Sequence, residues 1–280
     1  MQPTRTDVEG THLYPRHSTL IMAKYVDCHL HLEDRAFDDM REAIIASFKA
    51  DDIDFVIDCG SDLTTSREAF NLAEKYDDIY AVVGCHPHEA KDFDDKAVEF
   101  FTAVSSHEKV VGIGEIGLDY HYDLSPRSVQ KDVFEKQIVL ADSLNLPIVI
   151  HTREAWKDTL DILAANKKRL NNGVLFHCFN GSKETAKILV DKYDAYFSLG
   201  GAVTFKNFNG FDAIEALPRD RILTETDAPY MTPVPFRGKT NEPKYVALTV
   251  AALCGRFGWD KDEFTRQVKE NTLRLFGIKR

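Results

Sequence analysis

Eight short apolar runs rich in β-branched residues recur along this chain, separated by longer amphipathic stretches. They are Tyr25–Leu30, Asp54–Cys59, Ile79–Gly84, Val110–Gly114, Pro147–Ile150, Val174–Phe176, Ala195–Leu199 and Ile222–Thr224, with consecutive starts 21 to 37 residues apart. Between them, apolar residues at helical spacing mark Asp38–Ala50, Thr65–Tyr76, Arg127–Leu144 and Glu154–Leu170. Strand–helix alternation of this kind makes a parallel sheet covered by helices, since parallel neighbours are joined only by crossovers. Eight such units in about 250 residues predict a (β/α)8 TIM barrel, an α/β fold. A doubly wound open sheet is the rival, but no GxGxxG phosphate loop follows the first strand. Helical patterns at Pro243–Phe257 and Lys261–Phe276 close the chain.

No Pro/Gly/Ser-rich linker interrupts the pattern, which predicts one domain over residues 22–280. Residues 1–21 read as an extension outside the fold, and Met22 would serve as an alternative start. No run approaches the roughly 20 apolar residues of a membrane span. Five cysteines without a CxxC pair are a poor disulfide framework, so we expect reduced thiols and a cytoplasmic protein. The net charge of −10 argues against broad binding to duplex nucleic acid or acidic membranes. It leaves room for a phosphate held locally by metal ions.

Ligand-type residues fall at the C-terminal ends of these strands, where barrel active sites lie. Strand one supplies His29 and His31, spaced i, i+2 and so on one side of a strand. Strand three supplies His86, strand four Glu115, strand five His151, strand six His177 and strand eight Asp227. A lone strand-end histidine is more often structural than a ligand. Delivery from six strands to one face makes coincidence a poor account.

Six ligands (His29, His31, Glu115, His151, His177 and Asp227) exceed what one catalytic ion takes. Two divalent ions sharing Glu115 fit better, the first completed by His29, His31 and Asp227, the second by His151 and His177. Such a pair favours hydrolysis by an activated water, typically at phosphoryl centres. Asp227 is then the candidate to orient that water and take its proton, with Glu115 as bridge. His86 is expected to contact the substrate phosphate. Mixed nitrogen and oxygen donors suit zinc, manganese or iron better than magnesium.

The motifs DCHLHLED, GCHPHEA, GEIGLDYH, LPIVIHTREAW, GVLFHCFNGS, FSLGGAVTFKN, ETDAPYMTPVPFRGKTNEP and NTLRLFGI occur in this order over residues 24–277. Together they resemble the TatD family of metal-dependent deoxyribonucleases, within the amidohydrolase-like barrel enzymes. The resemblance implies hydrolysis of phosphodiesters in DNA, often from the 3′ end of single strands, with a divalent cation, commonly magnesium. Every metal position of the family is filled here. Thr152 stands where the family commonly has serine.

Arg127, Arg153, Lys206, Arg237 and Lys239 lie in segments placed in or beside the catalytic-face loops, and Arg153 and Arg237 are the candidates to bind substrate. A grip on one strand end over a few phosphates reconciles a DNA partner with the acidic chain. Tyr120, Phe179, Tyr230 and Phe236 are candidates to stack on bases. Relatives acting on cyclic amides or phosphotriesters usually bridge their metals with a modified lysine where this chain has Glu115. An esterase on another ester, such as aminoacyl-tRNA, and a non-catalytic metal-binding scaffold are the alternative readings.

Overall fold

Parallel pairing in strict chain order organises the molecule. The computed structural model describes residues 23–280, and the extension expected at 1–21 lies outside them. The strands are β1 (Tyr25–Leu30), β2 (Ile53–Cys59), β3 (Ile79–Val83), β4 (Val110–Asp119), β5 (Ile148–Arg153), β6 (Val174–Phe176), β7 (Tyr196–Leu199) and β8 (Ile222–Thr224). Each pairs in parallel with the next, in the order β1 to β8. Beyond β8 the chain turns onto β1, where the Asp227 amide donates to the His29 carbonyl (3.0 Å) and the His31 amide to that of Ala228 (2.8 Å). These two bonds draw the barrel nearly closed at its C-terminal rim. The expected TIM barrel is the observed fold.

Around the strands run α1 (Arg41–Ser47), α2 (Leu63–Lys75), α3 (Asp95–Val104), α4 (Arg127–Leu144), α5 (Trp156–Ala165), α6 (Lys183–Tyr193), α7 (Phe211–Glu215), α8 (Val246–Phe257) and α9 (Lys261–Phe276). Their ends follow local chemistry. Asp62 and Thr65 form a reciprocal capping box at the start of α2, and Asp260 accepts from the Glu263 amide at the start of α9. Gly258 and Gly277 end α8 and α9 in the left-handed conformation.

Alternating strand residues such as Phe55 and Ile57, Tyr80 and Val82, Val149 and Leu175 fill the barrel interior, plugged by Leu275 and Phe276 of α9 and by Ile278 just beyond it. The opposite strand faces pack under the helices. That apolar fill leaves only the C-terminal rim to carry polar chemistry.

Two strands depart from expectation. β4 does not stop at Gly114 but continues to Asp119, and β5 continues to Arg153, with Gly117 opposite His151 and Asp119 opposite Arg153. Glycine has poor strand propensity, which hid this stretch. At Gly117 the backbone has φ 140°, and a Cβ would lie 2.0 Å from the His151 carbonyl oxygen. The glycine lets two backbones approach. The expected helix Glu154–Leu170 is also shorter: α5 ends at Ala165 and a single 3-10 turn follows at Lys167–Arg169.

Candidate metal centre

Glu115 lies fully inside the barrel mouth, and its two carboxylate oxygens face different sets of histidines. Oε1 is 2.8 Å from His151 Nδ1, 2.8 Å from His177 Nε2 and 3.4 Å from His86 Nε2. Oε2 is 3.3 Å from His29 Nε2 and 3.8 Å from His31 Nε2. Asp227 Oδ1 joins the second set, 3.8 Å from His29 Nε2 and 3.5 Å from His31 Nε2. The sequence-derived residues His29, His31, Glu115, His151, His177 and Asp227 are therefore brought together.

Several of these atoms lack an ordinary partner. His151 Nδ1 and His177 Nε2 face each other at 3.2 Å. Both ring nitrogens of His29 and Nδ1 of His177 are buried without a hydrogen-bond partner among the described residues. Buried polar groups are rarely left so. His29–His31–Glu115, His86–Glu115–His151 and His29–His177–Glu225 each gather ligand atoms within 4.8 Å of one another. Orphaned imidazole nitrogens converging on carboxylates are the donor set that a divalent transition metal takes. The residues present fit metal ions.

Charge reinforces the arrangement. Burial pushes the Glu115 carboxyl up, but His177 and His86, with bonds from His151 and His177, overcome it and hold Glu115 well below the usual carboxylate range. At Asp227 burial is likewise outweighed by the His31 bond and the surrounding imidazoles, so its carboxyl is lowered. Burial pushes the His86 imidazole down to about 4, which keeps it neutral, the form that binds metal.

The structure places His86 differently from the sequence reading. Its Nε2 points at Glu115 among the candidate ligands, 3.4 Å from Oε1. Three carboxylates were missed. Asp119 Oδ2 lies 3.0 Å from His151 Nε2 and 3.1 Å from His88 Nε2. Glu225, fully buried, accepts from the Cys178 amide (2.7 Å) and from the Ser198 hydroxyl, with Oε2 3.8 Å from His177 Nδ1. Glu33 Oε1 lies 3.5 Å from His31 Nδ1, which also meets the Cys59 carbonyl oxygen at 2.6 Å. Such outer partners fix ligand tautomer and orientation. Period-two spacing held the signal: Glu115 and Asp119 are two pleats apart on β4, and Glu225 precedes Asp227 by two.

Against this geometry the comparisons with known proteins are direct. A family model described as TatD related DNase matches residues 26–277. The chain belongs to the TatD family. It is 42% identical to the metal-dependent hydrolase YabD of Bacillus subtilis over 253 residues, which is 90% of this chain and 98% of YabD. It is 35% identical to the metal-dependent hydrolase YcfH of Escherichia coli K12, covering 90% of this chain and 96% of YcfH. The crystal structure of YJJV, a TatD homologue from Escherichia coli K12, superposes with TM-score 0.84 at 28% identity, covering 92% of this chain and 99% of that one. As a TatD-family member the chain is a metal-dependent hydrolase, and the centre above supplies the groups able to hold metal ions.

Around the mouth of this TatD-family barrel the basic and aromatic candidates sort by exposure. Arg127 is engaged by Asp123, and Arg237 rests over Phe205 (4.0 Å) while donating to the Thr232 carbonyl. Lys206 and Lys239 are exposed. Phe179 is buried, Tyr120 donates to Asp158 (2.7 Å), and Phe236 stacks on Tyr245. Tyr230 alone of the four stacking candidates is exposed, 5.9 Å ring to ring from His31. Sequence reading passed over Tyr122, exposed on the opposite side of the mouth.

Proposed function

We propose that this TatD-family hydrolase cleaves phosphodiester bonds of DNA, working from the 3′ ends of single strands with two divalent ions. The observation that carries the reading is the division of Glu115, one oxygen toward His151 and His177 and the other toward His29 and His31. His29, His31 and Asp227 would hold one ion and His151 and His177 the other, Glu115 spanning both, with His86 at the second. Bound there, divalent ions acidify water and neutralise charge on phosphoryl oxygens; zinc, manganese or magnesium would serve.

Asp227 holds its carboxyl ionised at neutral pH and is partly open to the mouth, which suits it to orient the attacking water and accept its proton. Glu115 stays an anion under the same conditions and keeps the facing imidazoles aligned. Arg153 and Arg237 sit at the rim, where a strand end is gripped over few phosphates. No helix among the described residues is long and apolar enough to cross a membrane.

Product analysis on 3′- and 5′-labelled single-stranded DNA, RNA and aminoacyl-tRNA tests the reading, with metal-stripped enzyme and single cations added back. We expect stepwise shortening of DNA from the 3′ end, and loss of turnover by several orders of magnitude in a folded Asp227→Asn variant. Exclusive turnover of aminoacyl-tRNA would replace the nuclease reading with esterase. Full nuclease rate in Asp227→Asn would overturn the role given to that carboxylate.

A further inference from the structure

The lip between β4 and α4 carries two large apolar side chains into solvent, Tyr122 and Leu124, each 55% exposed. Arg153, the last residue of β5, lays its guanidinium 4.8 Å from the centre of the Tyr122 ring. Tyr122 meets His88 edge-on at 5.4 Å, and His88 in turn lies 4.2 Å from His86 and 6.3 Å from His151. One imidazole thus separates Tyr122 from the metal centre.

Arg153 differs from Arg127, the arginine on the same side of the mouth. No carboxylate among the described residues pairs with it, and the adjacent Glu154 is taken by His121 at 2.8 Å. Arg127, by contrast, is bound by Asp123. A guanidinium resting on an aromatic face keeps its planar fork of N–H donors available, and that fork matches the oxygens of a phosphate. An exposed tyrosine presents a surface on which any base can stack. A nucleotide offers both complements, a base and a phosphate about one side chain apart.

We propose that Tyr122 and Arg153 form a nucleotide subsite, Tyr122 stacking an unpaired base and Arg153 holding its phosphate beside the bond cleaved at Glu115. The inference rests on the phosphodiesterase reading above and deepens it. A base inside a duplex is already stacked on both faces, so the lip selects unpaired ends. Leu124 extends the apolar rim.

The test compares wild type and Tyr122→Ala, both loaded with the supporting cation, on a short single strand and on strands with one abasic residue at successive positions near the scissile bond. We expect Tyr122→Ala to raise KM by roughly tenfold or more, with a smaller change in kcat. One abasic position should raise the wild-type KM comparably, and that penalty should vanish in Tyr122→Ala. Tyr122→Phe should keep the wild-type KM, and Arg153→Gln should reduce the salt slope of binding by about one. An unchanged KM in Tyr122→Ala, or an abasic penalty that persists in that variant, overturns the subsite. Wild-type enzyme that cleaves no strand with any cation overturns the nuclease reading itself, and the subsite with it.

Discussion

Asp119 Oδ2 stands 3.0 Å from His151 Nε2, while the other nitrogen of that ring lies 2.8 Å from Glu115. The imidazole is held between two carboxylates, one at its back and one facing the metal centre. Asp119 also accepts from the His121 and Tyr122 amides through Oδ1, at 2.9 Å each. Burial pushes its carboxyl up, but these bonds and His151 outweigh that and keep it ionised. Asp119→Asn preserves an oxygen for the two amides and removes the charge behind His151. Metal affinity should fall by about 10- to 100-fold, with thermal stability little changed. Calorimetric titration of metal-stripped protein reads this directly, and equal affinity in the two proteins would count against the clamp.

The barrel was legible because its signal is repeated: eight short apolar strands rich in β-branched residues, six of them giving way to a ligand-type residue. The metal centre was legible because histidine and acidic residues at strand ends have few reasons to coincide. What was missed has a physical cause. Asp119 and the extended β4 lay behind Gly112, Gly114 and Gly117, residues that weaken strand propensity yet allow the close approach to β5. His86 was given to substrate because no partner was apparent along the chain; only the fold brings its ring against Glu115. Tyr122 and Tyr120 differ in exposure through Arg127 and Asp158, contacts between separate elements that local pattern does not carry.

Gly117→Ala should damage the site without touching a ligand. The residue has φ 140°, and the added Cβ would lie 2.0 Å from the His151 carbonyl oxygen, which is backbone and cannot swing aside. Relief requires parting β4 from β5 at the point where Glu115 and His151 meet. We expect a stability loss of about 2 kcal/mol or more, measured by urea denaturation, together with weaker metal binding. Wild-type midpoint and affinity would show that the strands tolerate separation there.

Thiol chemistry gives an independent check on burial. All five cysteines are free, four of them buried, and Cys178 is half-buried. Burial chiefly, with nearby Asp62, pushes the Cys85 thiol from its ordinary 9.0 up to about 12. At pH 8 its reactive thiolate is then about a thousandfold scarcer than in the unfolded chain. A raised thiol favours the protonated folded form, so the linked stability is present below pH 9 and lost as pH climbs toward 12. Ellman's reagent should react slowly with native protein and rapidly with five thiols in guanidinium. Prompt native labelling of Cys85 would contradict the packing of the β3–α3 connection.

Chelation should cost stability as well as activity. Stripped of metal, the centre leaves His29 and His177 nitrogens buried without partners, and gathers five imidazoles around one carboxylate. A ligand that binds only the folded state stabilises it by about 4 kcal/mol at a thousandfold excess over Kd. For a chain of this size each kcal/mol shifts Tm by about 2–4 °C or somewhat less. Differential scanning calorimetry should therefore show Tm falling by several degrees in EDTA and returning when zinc or manganese is restored. The double variant His29→Ala/His31→Ala separates the two halves: it should keep part of the metal-dependent rise, through His151, His177 and Glu115, while losing most activity. A rise abolished entirely in that variant would mean that the two sets of histidines act as one site around a single ion.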